Sequence, residues 1–130
     1  VRAQKVNFSL EGAMEVEDTV SAYVEFADGP RGVFFATNAY GTDADPEFEV
    51  LFDNGTVNYR NKKLYLNDDV IAQDSCTFVG KSYWGNSHET LIGDFYDANT
   101  YFTPKDVKNT MYTMFAMYES AENGSRKVIL

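Results

Sequence analysis

The sequence is poor in the residues that staple a fold, cross a membrane or hold nucleic acid. A single cysteine, Cys76, excludes an internal disulfide and fits a reducing compartment, so a cytoplasmic location is expected. No apolar run approaches the length of a membrane span. Lys and Arg number 11 against 20 Asp and Glu, a net charge of −9, and the basic residues are scattered singly or in pairs such as Lys62-Lys63 and Arg126-Lys127. That balance disfavours nucleic acid and anionic membrane as partners. Also missing are G-x-G-x-x-G, the P-loop, G-x-S-x-G and any cysteine pair, so phosphate cradles, nucleophile elbows and zinc ribbons lack their defining parts, and no metal site is expected. Neither an initiator methionine nor a basic or apolar leader precedes the first strand-like run, and the protein is expected to be a piece of something longer. Triplets of the form N-x-S/T at Asn7, Asn54 and Asn123 match the glycosylation pattern, which chance explains in the absence of a secretory signal.

What is present suits one folded domain over 1–130: 44% of the residues are apolar and 15% aromatic. Residues 1 to about 80 read as strands and turns, and 85 to 123 as two helices, which makes the class α+β. Val20, Ala22, Val24 and Phe26 alternate with Ser21, Tyr23 and Glu25; after "ADGPRG" the run "VFFATNAY" is apolar on both faces and is expected to be a central strand. In "EFEVLFDNGTVNYR" the pair Asn54-Gly55 is expected to supply the positive φ values of a two-residue hairpin turn, and "KKLYLNDDVIAQ" gives a second hairpin around Asn67-Asp68-Asp69. Asn86 or Ser87 can cap a first helix, with Glu89 as capping-box partner, and His88, Leu91, Ile92, Phe95 and Tyr96 then form an apolar stripe that places His88 on the inward face. The second helix is expected from a Thr103 cap and Pro104 to Asn123-Gly124, burying Val107, Met111, Met114, Phe115, Tyr118 and Ala121. "RKVIL" reads as a last short strand. Short connections and the absence of a βαβ unit predict a mostly antiparallel, open-faced sheet with both helices on one face. The other face, apolar in part, is expected to be covered by a partner.

Several groupings read as ordinary surface or core. "DADPEFE" (43 to 49) has Phe48 where a calcium loop needs its turn glycine. Glu11, Glu15, Glu17 and Asp18 read as a charged surface patch, and Cys76, with no nearby cation to pair with His88 as an activated nucleophile, reads as a small hydrophobe. "KSYWGNSHE" is the best candidate site. Lys81 brings a flexible cation, Tyr83 and Trp84 flat faces of the kind that stack on sugar rings, Gly85 close backbone approach, and His88 a ring nitrogen near a helix N-terminus. The alternative is an aromatic loop leading into a helix, with His88 satisfied internally.

Taken together, "VEDTVSAYVEFADGPRGVFFATNAYG", "EVLFDNGTVNY", "YWGNSHETLIGDFYD" and "MYTMFAMYESAENGSRKVIL" resemble, over nearly the whole sequence, the C-terminal domain of the Gfo/Idh/MocA family of NAD(P)-dependent oxidoreductases. The resemblance implies a preceding Rossmann domain, absent from these residues, that binds NAD or NADP. It also implies that this domain walls a substrate site for a sugar, inositol or similar polyol and forms subunit contacts. His88 matches the family's helix-start histidine. The family's dinucleotide glycines, its lysine-bearing "EKP" segment and its aspartate/histidine helix are not among these residues, so the fragment is expected to hold no cofactor and to transfer no hydride alone. Two readings follow: a substrate-lining and oligomerising domain with Lys81, Tyr83, Trp84 and His88 facing substrate, or a free-standing, non-catalytic module binding a small ligand or carbohydrate.

Overall fold

The computed structural model describes residues 1–27, 29–42, 44–73, 87–97 and 103–130. Seven strands and two helices follow one another: β1 (Arg2–Val6), β2 (Thr19–Glu25), β3 (Arg31–Thr37), β4 (Phe48–Phe52), β5 (Gly55–Arg60), β6 (Lys63–Leu66), β7 (Asp69–Gln73), α1 (Ser87–Tyr96) and α2 (Lys108–Glu122). All strand pairs are antiparallel, in a three-stranded sheet of order β1-β2-β3 and a four-stranded sheet of order β4-β5-β6-β7. The α+β class holds. The protein divides into two compact units, Val1–Gly41 with Phe102–Leu130, and Thr42–Tyr101.

In the first unit α2 packs on β1. The contact is built from small residues: Ala3 of β1 and Ala116 of α2 are buried, Ser120 is 0% exposed, and Ala22, opposite Ala3 on β2, is buried as well. Short side chains let the helix approach the strands closely, so the line that turns inward is Ala116 and Ser120, one helical turn apart. This corrects the expected inward stripe, because Val107, Met111, Met114, Phe115 and Tyr118 remain exposed. The helix also starts later than expected. Thr103 and Asp106 close a turn of their own, in which one Asp106 carboxylate oxygen accepts from both the Thr103 N–H and its hydroxyl at 2.7 Å, and the helix begins at Lys108. Its end is as the sequence indicates. Gly124 takes φ +66° and the Ser125 N–H reaches back to the Ser120 carbonyl at 2.9 Å, a Schellman-type stop.

The C-terminal run is not a strand. Val1 and Val128 exchange one pair of backbone hydrogen bonds, at 2.8 and 2.9 Å. The next rung of such a ladder would join Ala3 to Arg126. Instead the Ser120 hydroxyl stands between them, accepting from the Ala3 N–H at 2.9 Å and donating to the Arg126 carbonyl at 2.7 Å. A side chain thus replaces the rung and ends the pairing.

The loop from β1 to β2 is closed by Asp18, which is 2% exposed. One of its oxygens accepts from the backbone N–H groups of Phe8, Ser9 and Leu10 at 3.1, 2.8 and 3.0 Å, while the Asn7 amide donates to the carbonyls of Met14 and Val16. Asp18 therefore leaves the expected surface patch and becomes a loop-organising group, and the Asn7 amide nitrogen is fully engaged. Strand β3, expected to be central, pairs with β2 alone among the described residues, so it forms an edge.

In the second unit, Phe48, Val50 and Phe52 of β4 stand opposite Tyr59, Val57 and Gly55 of β5, and the latter strand's Tyr59 and Val57 stand opposite Leu64 and Leu66 of β6. Directly opposed residues share a face, so these side chains form one apolar surface, with Glu49, Asn58, Arg60 and Lys63 on the other. The first hairpin turn is Asp53-Asn54, neither residue at positive φ, and Gly55 opens β5 at φ +159°. The positive φ pair expected at Asn54-Gly55 is found one hairpin later, at Asn61 (+52°) and Lys62 (+60°), joining Arg60 to Lys63 as a type I′ turn. Gly55 is required by its neighbour. A Cβ there would sit 2.9 Å from the Asn67 side-chain oxygen, which accepts from the Thr56 N–H at 3.1 Å.

Candidate functional site

Of the four residues proposed from sequence to face substrate, Lys81, Tyr83 and Trp84 lie outside the described residues, as does Cys76. His88 is the second residue of α1, exposed and without a hydrogen-bond partner among the described residues. The helix buries none of its residues, and Leu91, Ile92, Phe95 and Tyr96 all stand about half or more in water. This corrects the expectation that the stripe beneath His88 is core. Helical spacing gives the stripe its face; what the described residues do not supply is the surface to bury it.

The same holds for the β4–β6 face. Phe48, Val50, Phe52 and Leu66 are between 40% and 58% exposed, although they form the continuous apolar side of their sheet. Within it the Phe48 and Tyr59 rings stack, centroids 5.7 Å apart at 17°. An antiparallel sheet with one apolar face ordinarily packs that face on something. Completing the burial of these four side chains is worth about 1 kcal/mol each, roughly 4 kcal/mol per copy of the protein. The side of the three-stranded sheet away from α2 also carries apolar groups in water, Val33 and Phe35 of β3 beside Tyr23 of β2.

The polar clusters serve the fold. Tyr118 donates to the Glu17 carboxylate, Lys5 lies 4.8 Å from the centre of the Tyr118 ring, and its ammonium meets Glu122 at 2.8 Å. The hydrogen bond from Tyr118 lowers the Glu17 pKa and raises that of Tyr118, while the bond to Glu122 raises that of Lys5. Each shift deepens the protonation state the group already holds at neutral pH, and the four residues clamp β1, the β1–β2 loop and α2 together. Burial pushes the Asp18 carboxyl up, but the hydrogen bonds from Ser9, Thr19, Leu10 and Phe8 outweigh it and leave the pKa low. Sequence reasoning missed this clamp and the Ser120 bridge, since neither carries a local pattern; both join residues more than a hundred positions apart.

Among the described residues no group of three or more His, Cys, Asp or Glu could hold a metal ion, and no helix is long and apolar enough to cross a membrane. No family model, curated protein or solved structure matches this protein. Its own residues and surfaces therefore carry the functional reading.

Proposed function

We propose that these residues form the substrate-lining and oligomerising domain of an NAD(P)-dependent oxidoreductase acting on a sugar, inositol or similar polyol, the nicotinamide cofactor being held by a Rossmann domain outside these residues. The observation that carries the oligomerising part of the reading is the exposed apolar face of Phe48, Val50, Phe52 and Leu66, left uncovered by the described residues, which suits a second copy of the protein better than water; the substrate and cofactor classes rest on the family resemblance of the sequence motifs. Two further features support it. The sequence contains no glycine-rich phosphate cradle of its own, and the polar clusters whose geometry is described are tied into the fold rather than poised for chemistry. In this reading Lys81, Tyr83, Trp84 and His88 face the substrate: the aromatic rings take the apolar faces of a sugar ring, and the lysine and histidine take its hydroxyls.

The test is a sugar and polyol activity screen on the full-length protein, with His88→Ala and Trp84→Ala measured beside the wild type. Loss of kcat/KM with the fold intact is the expected result, in the range of about tenfold or more where a substrate-ordering hydrogen bond is lost. An unchanged kcat/KM for both variants removes the substrate-lining role. Calorimetric titration of these 130 residues with NADH and NADPH should show no heat of binding; clear binding overturns the division of labour between the two domains.

A further inference from the structure

Two asparagines precede glycine, Asn54 and Asn123, and their local sequences are nearly the same: Asp53-Asn54-Gly55-Thr56 and Glu122-Asn123-Gly124-Ser125. Their surroundings are not. Asn54 is the second residue of an exposed two-residue turn, and its side-chain amide has no hydrogen-bond partner among the described residues. Asn123 caps α2: its side-chain amide donates to the Glu119 carbonyl at 2.7 Å and its backbone N–H to the Ser120 carbonyl at 3.2 Å, with the next turn closed by Gly124 at φ +66°.

We infer that Asn54 is a site of spontaneous covalent modification, cyclising and deamidating in the folded protein well ahead of Asn123. The backbone nitrogen of Gly55, a residue with no side chain of its own, attacks the amide carbon (Cγ) of Asn54. A five-membered imide forms as the new bond from Cγ to the Gly55 nitrogen is made, the bond from Cγ to Nδ2 breaks, and the proton lost from the Gly55 nitrogen leaves with the departing Nδ2 as ammonia. Water then adds to either imide carbonyl and opens the ring, giving aspartate or, with the backbone rerouted through the former side-chain atoms, isoaspartate. Neither step needs an oxidant, a reductant or an enzyme. Asn123 can follow the same course only after surrendering its bond to Glu119 and rotating out of the helix cap. The loss of the bond to Glu119 before reaction corresponds to roughly a tenfold slower rate. The product at Asn54 adds one negative charge beside Asp53. As isoaspartate it also adds a methylene to the backbone between the paired residues Phe52 and Gly55.

The two sites form an internal comparison in one molecule. The protein is incubated at mildly alkaline pH and about 37 °C, digested, and the two Asn-Gly peptides are followed by mass spectrometry, with isoaspartate identified by its backbone fragmentation; a parallel sample is kept in concentrated urea. In the folded protein the Asn54 peptide is expected to gain one mass unit about tenfold faster than the Asn123 peptide, as a mixture of aspartate and isoaspartate, and in urea the two rates should converge. Absence of the mass gain at Asn54, a rate at Asn123 equal or greater in the folded protein, or a gap that persists in urea overturns the inference.

Discussion

Replacing Ser120 by alanine removes one oxygen atom and should cost far more than a typical surface change. The hydroxyl is fully buried, and its two hydrogen bonds join the buried Ala3 N–H of β1 to the Arg126 carbonyl of the C-terminal run. Without it the Ala3 N–H is orphaned, at about 1–3 kcal/mol, and the bond to Arg126 is lost at about 1 kcal/mol. Direct closure of the rung is not available as compensation, since the two backbone groups are spaced to admit an oxygen between them. The better helix propensity of alanine returns about 0.5 kcal/mol. The net loss is roughly 1.5–3.5 kcal/mol, a fall in Tm of about 6–14 °C for a protein of this size. Urea unfolding gives the energy, and amide hydrogen exchange gives the place: the Ala3 N–H should exchange faster in Ser120→Ala while the central residues of β2 lose protection only by the global amount. A variant as stable as the wild type, with Ala3 equally protected, refutes the bridging role.

Gly55→Ala should lower the unfolding free energy by about 1–3 kcal/mol, because the new Cβ meets the Asn67 oxygen at 2.9 Å and displaces it from the Thr56 N–H; an unchanged urea midpoint contradicts that packing. Asp18→Asn should be less stable than the wild type at neutral pH. Because the folded Asp18 pKa lies below its usual value of 3.8, its contribution is present above that value and is lost as pH falls through the lower folded value. The stability gap between variant and wild type should therefore close on acidification, as seen by urea titrations at a series of pH values, and a gap independent of pH rules out the carboxylate as the loop's organiser.

Most elements were legible because they rest on local patterns. The alternation of Val20, Ala22 and Val24 against Ser21 and Tyr23 marks β2, and Phe48, Val50 and Phe52 against Glu49 mark an apolar face on β4. The Asn123-Gly124 stop of α2 depends on glycine's ease at positive φ and was equally plain. What escaped depends on distant partners. The inward line of α2 follows the small residues Ala116 and Ser120 that face β1, a choice invisible to a rule that sends the largest apolar residues inside. The turn at Asn61-Lys62 was obscured because lysine is a poor guide to positive φ. Asp18 looked like surface because nothing in its own segment announces the three N–H groups of Phe8, Ser9 and Leu10. At the candidate site, His88 stands at the start of α1 as its capping pattern indicates, but the stripe beneath it waits on a surface that the described residues do not provide.

Sedimentation equilibrium of the wild-type protein beside Phe52→Glu tests most directly whether the apolar β4–β6 face is where copies of the protein meet. The wild type is expected to self-associate at micromolar concentration and the Phe52→Glu variant, folded by circular dichroism, to sediment as a monomer, since a carboxylate cannot be buried unpaired in such a face. A wild type that stays monomeric, or a variant that associates as tightly, contradicts it.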